Sequence, residues 1–105
     1  MSILGQVELA AGVETALYAP AVAIQADLQV IFVNRDPIST ARVRVVHRVG
    51  AGPTVPENYI VFEKGVPPND ERVTFTFDVT SPEEVLVQSD LALVGATANG
   101  IERSI

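Results

Sequence analysis

Val73-Thr74-Phe75-Thr76-Phe77-Asp78-Val79 sets Val73, Phe75, Phe77 and Val79 on one side of an extended chain, and Thr74, Thr76 and Asp78 on the other. This period of two belongs to a strand with one face on a core and one in water. The neighbouring sequence extends the pattern. Upstream, Lys64 to Glu71 (KGVPPNDE) is turn-forming. Before it, Tyr59 to Glu63 is a short strand with Tyr59, Val61 and Glu63 on one face and Ile60 and Phe62 on the other. Downstream, Thr80 to Glu84 (TSPEE) reads as a turn rather than a helix start, and Val85 to Gln88 as a strand. Ser89-Asp90 then turns into Leu91 to Val94. Gly95 and Gly100 are expected to break the tail, leaving Ile101 to Ile105 as a last edge strand.

The first half reads the same way. Ala26 to Val33 (ADLQVIFV) places Leu28, Val30 and Phe32 on one face and Gln29, Ile31 and Val33 on the other. So many apolar residues on both faces imply a central strand, or one covered by a partner. Asn34 to Thr40 (NRDPIST) is a turn, and Thr15 to Tyr18 a short strand ending at Pro20. A helix over Ala10 to Gln29 is the competing reading, opposed by Pro20 and the β-branched content. Residues 1–11 form an edge strand or an arm that leaves the domain. Residues 12–105 form the domain proper. Seven or eight short strands punctuated by Gly, Pro, Asn and Asp predict an all-β chain, a single small antiparallel β-sandwich. Jelly-roll and immunoglobulin-like orders both remain open.

At 105 residues the chain has room for one core. It carries 13 acidic and 7 basic residues and a formal charge of -6, so nucleic acid is an unlikely partner. It has no cysteine, which excludes disulfides and thiolate metal sites. No apolar run approaches the roughly 20 residues that span a bilayer, so no membrane partner is expected. The first residues lack the pattern of a signal peptide, which points to synthesis in the cytoplasm.

Against this acidic background, Thr40 to Arg48 (TARVRVVHR) stands out. Ala41, Val43, Val45 and His47 share one face, and Arg42, Arg44, Val46 and Arg48 the other, so three of the six arginines line one stripe. One reading is a solvated face whose arginines pair across strands with Glu63 or Asp78. Another is a protein interface formed by Arg42, Arg44, Val46 and Arg48, with Ile31 and Val33 suspected on their own strand. A third is an anionic ligand.

No catalytic constellation emerges, and no enzyme is expected. His47 is the single histidine and shares its predicted face with Val43 and Val45, which fits a structural role better than a triad or a zinc ligand. Asn69, Asp70 and Glu71 are too compact for a calcium loop. Gly50-Ala51-Gly52 belongs to no phosphate-binding pattern. No cofactor or metal is therefore predicted. Phe32, Phe62, Phe75 and Phe77 are assigned to the core.

The order of features resembles small β-sandwich virion proteins of tailed bacteriophages. It rests on Thr15-Ala16-Leu17-Tyr18, Val33-Asn34-Arg35, Ala41 to Val45 and Asn58-Tyr59-Ile60. It continues through Pro67-Pro68-Asn69-Asp70, Glu84-Val85-Leu86-Val87, Ala92-Leu93-Val94 and Gly100-Ile101-Glu102. The resemblance implies a capsid decoration (cement) protein or small tail component. It would act in the virion after synthesis in the host cytoplasm. It would be a symmetric homo-oligomer, commonly a trimer, bound to the major capsid protein or another virion protein. Two alternatives stand beside it. A tail or adhesin-like module binding carbohydrate or another host surface ligand would show Tyr18 and Tyr59 exposed together in one concavity. A small hydrolase or isomerase would show His47 in a pocket beside a serine or carboxylate.

Overall fold

Alternation in sequence becomes two facing sheets. The computed structural model describes residues 2–50, 53–69 and 71–105. Its strands are β1 (Ser2–Leu9), β2 (Thr15–Tyr18), β3 (Ile24–Asn34), β4 (Ala41–Val49), β5 (Tyr59–Val66), β6 (Glu71–Thr80), β7 (Glu83–Ser89) and β8 (Val94–Ser104). A 3-10 turn, Pro56–Asn58, precedes β5. The first sheet has the order β1-β8-β3-β6 and the second β2-β7-β4-β5, each antiparallel throughout.

The pairing is nested: β1 with β8, β2 with β7, β3 with β6, β4 with β5. It is that of one long hairpin wrapped around itself, and every connection except β4–β5 crosses between sheets. This is the strand order of a jelly roll and not of an immunoglobulin domain.

The core lies between the sheets. Leu28, Val30 and Phe32 of β3 meet Val43 and Val45 of β4, Val85 and Val87 of β7, and Ala96 and Ala98 of β8, all fully or almost fully buried. Burying a side chain the size of Phe32 contributes about 1.5–3 kcal/mol. On β6, Val73, Phe75, Phe77 and Val79 face inward as the alternation requires, with Phe75 edge-on to Phe32 at 6.0 Å. The Asn34 to Thr40 turn is organised by side chains. Asn34 is buried and donates to the carbonyls of Ser39 and Val66, while Asp36 accepts the N–H groups of Ile38 and Ser39.

Of the two readings of the N-terminal stretch, residues 2–9 take the edge strand, built into the first sheet. Several other expectations need correction. The tail is not a separate edge strand: β8 runs unbroken through Gly95 and Gly100 and is central. Gly100 is there because backbones crowd it. A Cβ would lie 2.5 Å from the Asp27 carbonyl oxygen and 3.0 Å from Leu4. Leu91 and Leu93 belong to the turn before β8, since that strand begins at Val94. Phe62 is not core but 60% exposed. Val43 pairs with Lys64 and Val45 with Val61, so Phe62 and Glu63 together oppose Arg44 in a bulge. Glu63 takes a left-handed conformation there (φ 57°), and the alternation loses phase.

Candidate interaction surface

The arginine stripe lies on the outer face of the second sheet. Arg44, Val46 and Arg48 stand opposite Gln88, Leu86 and Glu84 of β7, with Val45 and His47 turned inward. Its members have three different environments.

Arg48 is the most enclosed. Its Nε donates to Glu84 at 2.9 Å and its Nη1 to the Thr54 hydroxyl at 2.8 Å. Thr54 in turn donates to Glu14 at 2.8 Å, and Glu14 lies 3.7 Å from the guanidinium. These bonds draw residues 53–58 across the sheet, and Asn58 accepts the Val55 N–H to hold the turn closed. Val46 sits on the covered face opposite Leu86 and Tyr59 and is only 1% exposed. The apolar member of the stripe is therefore buried by its own chain.

Arg44 is a partner to the bulge. It donates to Glu63 at 2.5 Å, and its guanidinium lies 4.4 Å from the centre of the Phe62 ring and 5.7 Å from that of Tyr59. Tyr59 and Phe62 meet edge to face at 5.1 Å. The guanidinium beside Glu63 holds that carboxyl below its ordinary range, and Glu63 raises Arg44 in return. A cation seated on two rings is favourable and presents a flat, stiff surface. Ile60, also on β5, is 45% exposed. Arg42 is exposed, and its contribution to the turn is a backbone one, its N–H donating to Asp90 at 2.7 Å.

Ile31 and Val33 lie on the outer face of the first sheet, on the far side of the sandwich from the arginines. Ile31 stands between Thr74 and Thr97 in register, and Val33 between Gly95 and residue 72. A shallow depression of about 300 Å³ lies nearby, lined by Gln6, Glu8, Gly95 and Thr97. The six proposed interface residues therefore do not form one surface.

The remaining chemistry is structural in geometry. His47 Nε2 lies 3.0 Å from Glu83, and its ring packs at 5.6 Å on Phe77. Glu83 also accepts the Thr80 N–H, so the carboxylate beside the histidine closes a turn. Tyr18 is buried and donates to Glu102 at 2.6 Å. Burial and that carboxylate push its hydroxyl well above the usual tyrosine range. Tyr18 and Tyr59 sit on β2 and β5, at opposite edges of the second sheet, and share no concavity. Among the described residues no group of three or more histidine, cysteine or acidic side chains gathers as a metal site. The cluster Asn69, Asp70 and Glu71 depends on Asp70, and the Gly50-Ala51-Gly52 run on residues 51 and 52, all outside the described residues.

Residue-type reasoning missed the Tyr59–Phe62–Arg44 cluster because it treated Phe62 as core. The signal available was Glu63-Lys64-Gly65 directly after Phe62, an unfavourable continuation for a buried strand. A scan against protein-family models, a search of curated proteins and a search of solved structures each return no match.

Proposed function

We propose that this chain is a non-catalytic structural subunit of a virion, a decoration protein that joins a capsid shell through protein contacts and associates with copies of itself. The observation that carries the reading is Phe62, 60% exposed yet held in place by Arg44 and Tyr59. Aromatic and arginine side chains dominate the few residues that carry interface energy. The jelly-roll order supports the shell by analogy, since capsid domains use it, although lectins and cupins do too. The polar groups around His47 and Arg48 are engaged in holding turns.

Imaging of particles from the producing host, with and without the gene, tests this directly. Density for the chain on the shell exterior is expected, with less robust particles in its absence. Particles that never contain the chain would overturn the reading. In the same system Phe62→Ala is expected to weaken shell binding about tenfold or more. Its stability should fall by no more than about 1–2 kcal/mol, because the ring is mostly in solvent and loses only its contacts with Arg44 and Tyr59.

A further inference from the structure

A sandwich of two open sheets has four edge strands, and unpaired edges recruit other strands unless they are blunted. Three are blunted here. β1 shifts register between Ile3 and Gly5, β2 has four residues and shifts between Ala16 and Tyr18, and β5 shifts twice. β6 differs. It pairs with β3 over ten consecutive residues without a register shift. Residues 71–80 contain no proline, glycine or lysine and are rich in Val, Thr and Phe, the residues that favour strands. Among the described residues, no strand pairs with its other side.

The order of residues along this edge is self-complementary. About Phe75, an antiparallel copy sets Thr74 against Thr76, Val73 against Phe77, and Arg72 against Asp78. Among the described residues Asp78 makes no ion pair, and its hydrogen bond is with another carboxyl, that of Asp27. It stands opposite Asp27, and Arg103 is committed to Asp27 by two bonds of 2.6 and 3.0 Å. Val73, Phe75 and Phe77 are only half-buried, on a strand whose open side no other strand covers among the described residues.

We infer that two copies of this chain pair antiparallel through β6 about a two-fold axis at Phe75, joining their first sheets into one eight-stranded sheet with Arg72 of each copy opposite Asp78 of the other. Opposite charges and paired threonines directly across strands are favourable, and both occur twice by symmetry. The contact deepens the proposed assembly role and rests on its self-association part alone, not on the virion. It gives dimers, so the trimer implied by resemblance would need a different contact.

Sedimentation across the micromolar range, with cysteine cross-linking, tests it. The parent is expected to dimerise reversibly. Asp78→Arg sets like charges opposite each other twice and should raise the dissociation constant about tenfold. The double variant Arg72→Asp/Asp78→Arg restores complementarity and should return it to within about threefold of the parent. Because the chain has no cysteine, Thr74→Cys/Thr76→Cys should cross-link into a covalent dimer on mild oxidation, and Gln6→Cys on the opposite edge should not. A monomeric parent overturns both this contact and self-association. A parent oligomer indifferent to Asp78→Arg, without the 74–76 cross-link, overturns the β6 contact and leaves self-association standing.

Discussion

Glu63 shows how much a single residue can decide. Its positive φ costs an ordinary side chain about 1–2 kcal/mol, yet the same bulge delivers its carboxylate to Arg44 and turns Phe62 into solvent. Two substitutions separate these effects. Glu63→Ala loses the ion pair and keeps the strain, whereas Glu63→Gly loses the pair and relieves the strain. Urea titration should find Glu63→Gly more stable than Glu63→Ala by about 1 kcal/mol. Glu63→Gly less stable than Glu63→Ala by about 0.5–1 kcal/mol, the entropic cost of glycine, would mean the bulge is unstrained. The sequence hid this because alternation is counted residue by residue, and a bulge inserts one extra residue without altering composition. Phe62 was legible as a large apolar residue, but its side of the sheet was not.

At the scale of the element, β4 was read with the right faces and incomplete environments. The period of two separated Val43, Val45 and His47 from Arg44, Val46 and Arg48. It could not show residues 53–58 lying over the outer face, because that cover depends on Glu14 and Thr54, 40 residues apart in the chain. The arginines are therefore not equivalent. Arg48→Ala strips a guanidinium from two half-buried glutamates and should cost about 1–3 kcal/mol, with faster amide exchange in residues 53–58. Arg42→Ala removes an exposed side chain and should stay within about 0.5 kcal/mol. Equal losses in the two variants would contradict the cover. The β6 dimer belongs to this scale as well, since edge regularity is a property of the whole strand.

Across the whole molecule the charges set a pH window. Arg103 holds Asp27 low, the N–H groups of Ser39 and Ile38 do so for Asp36, and Arg44 does so for Glu63. Burial pushes Glu83 up, but the Thr80 N–H and His47 outweigh it and leave it lowered. A carboxyl lowered by folding contributes stability above its unfolded value, which is lost as pH falls through the folded one. Asp78 has the opposite sign, because its hydrogen bond with Asp27 raises it. With four lowered groups against one raised, stability should hold through neutral pH and fall below about pH 4.5. At the alkaline end, Tyr18 stays protonated in the fold after unfolded tyrosine begins to ionise near pH 10. Stability should then decline as pH rises above about 10, and Tyr18→Phe should flatten that decline. Urea midpoints measured across pH for parent and variant check both limits.

The sequence by itself determined the β class, most of the strands and which side of β3, β4 and β6 faces the core. Those follow from local periodicity, which each strand carries without reference to the others. Only the tertiary structure decided the nested pairing, the central place of β8, the cover over Val46, and the separation of Ile31 and Val33 from the arginines. Each of these depends on contacts between residues distant in the chain, and the free energy of such contacts is not a property of any one segment. The stretch from Val73 to Val79 illustrates both: its alternation identified a strand, and its place at the one regular edge left that strand with an open side.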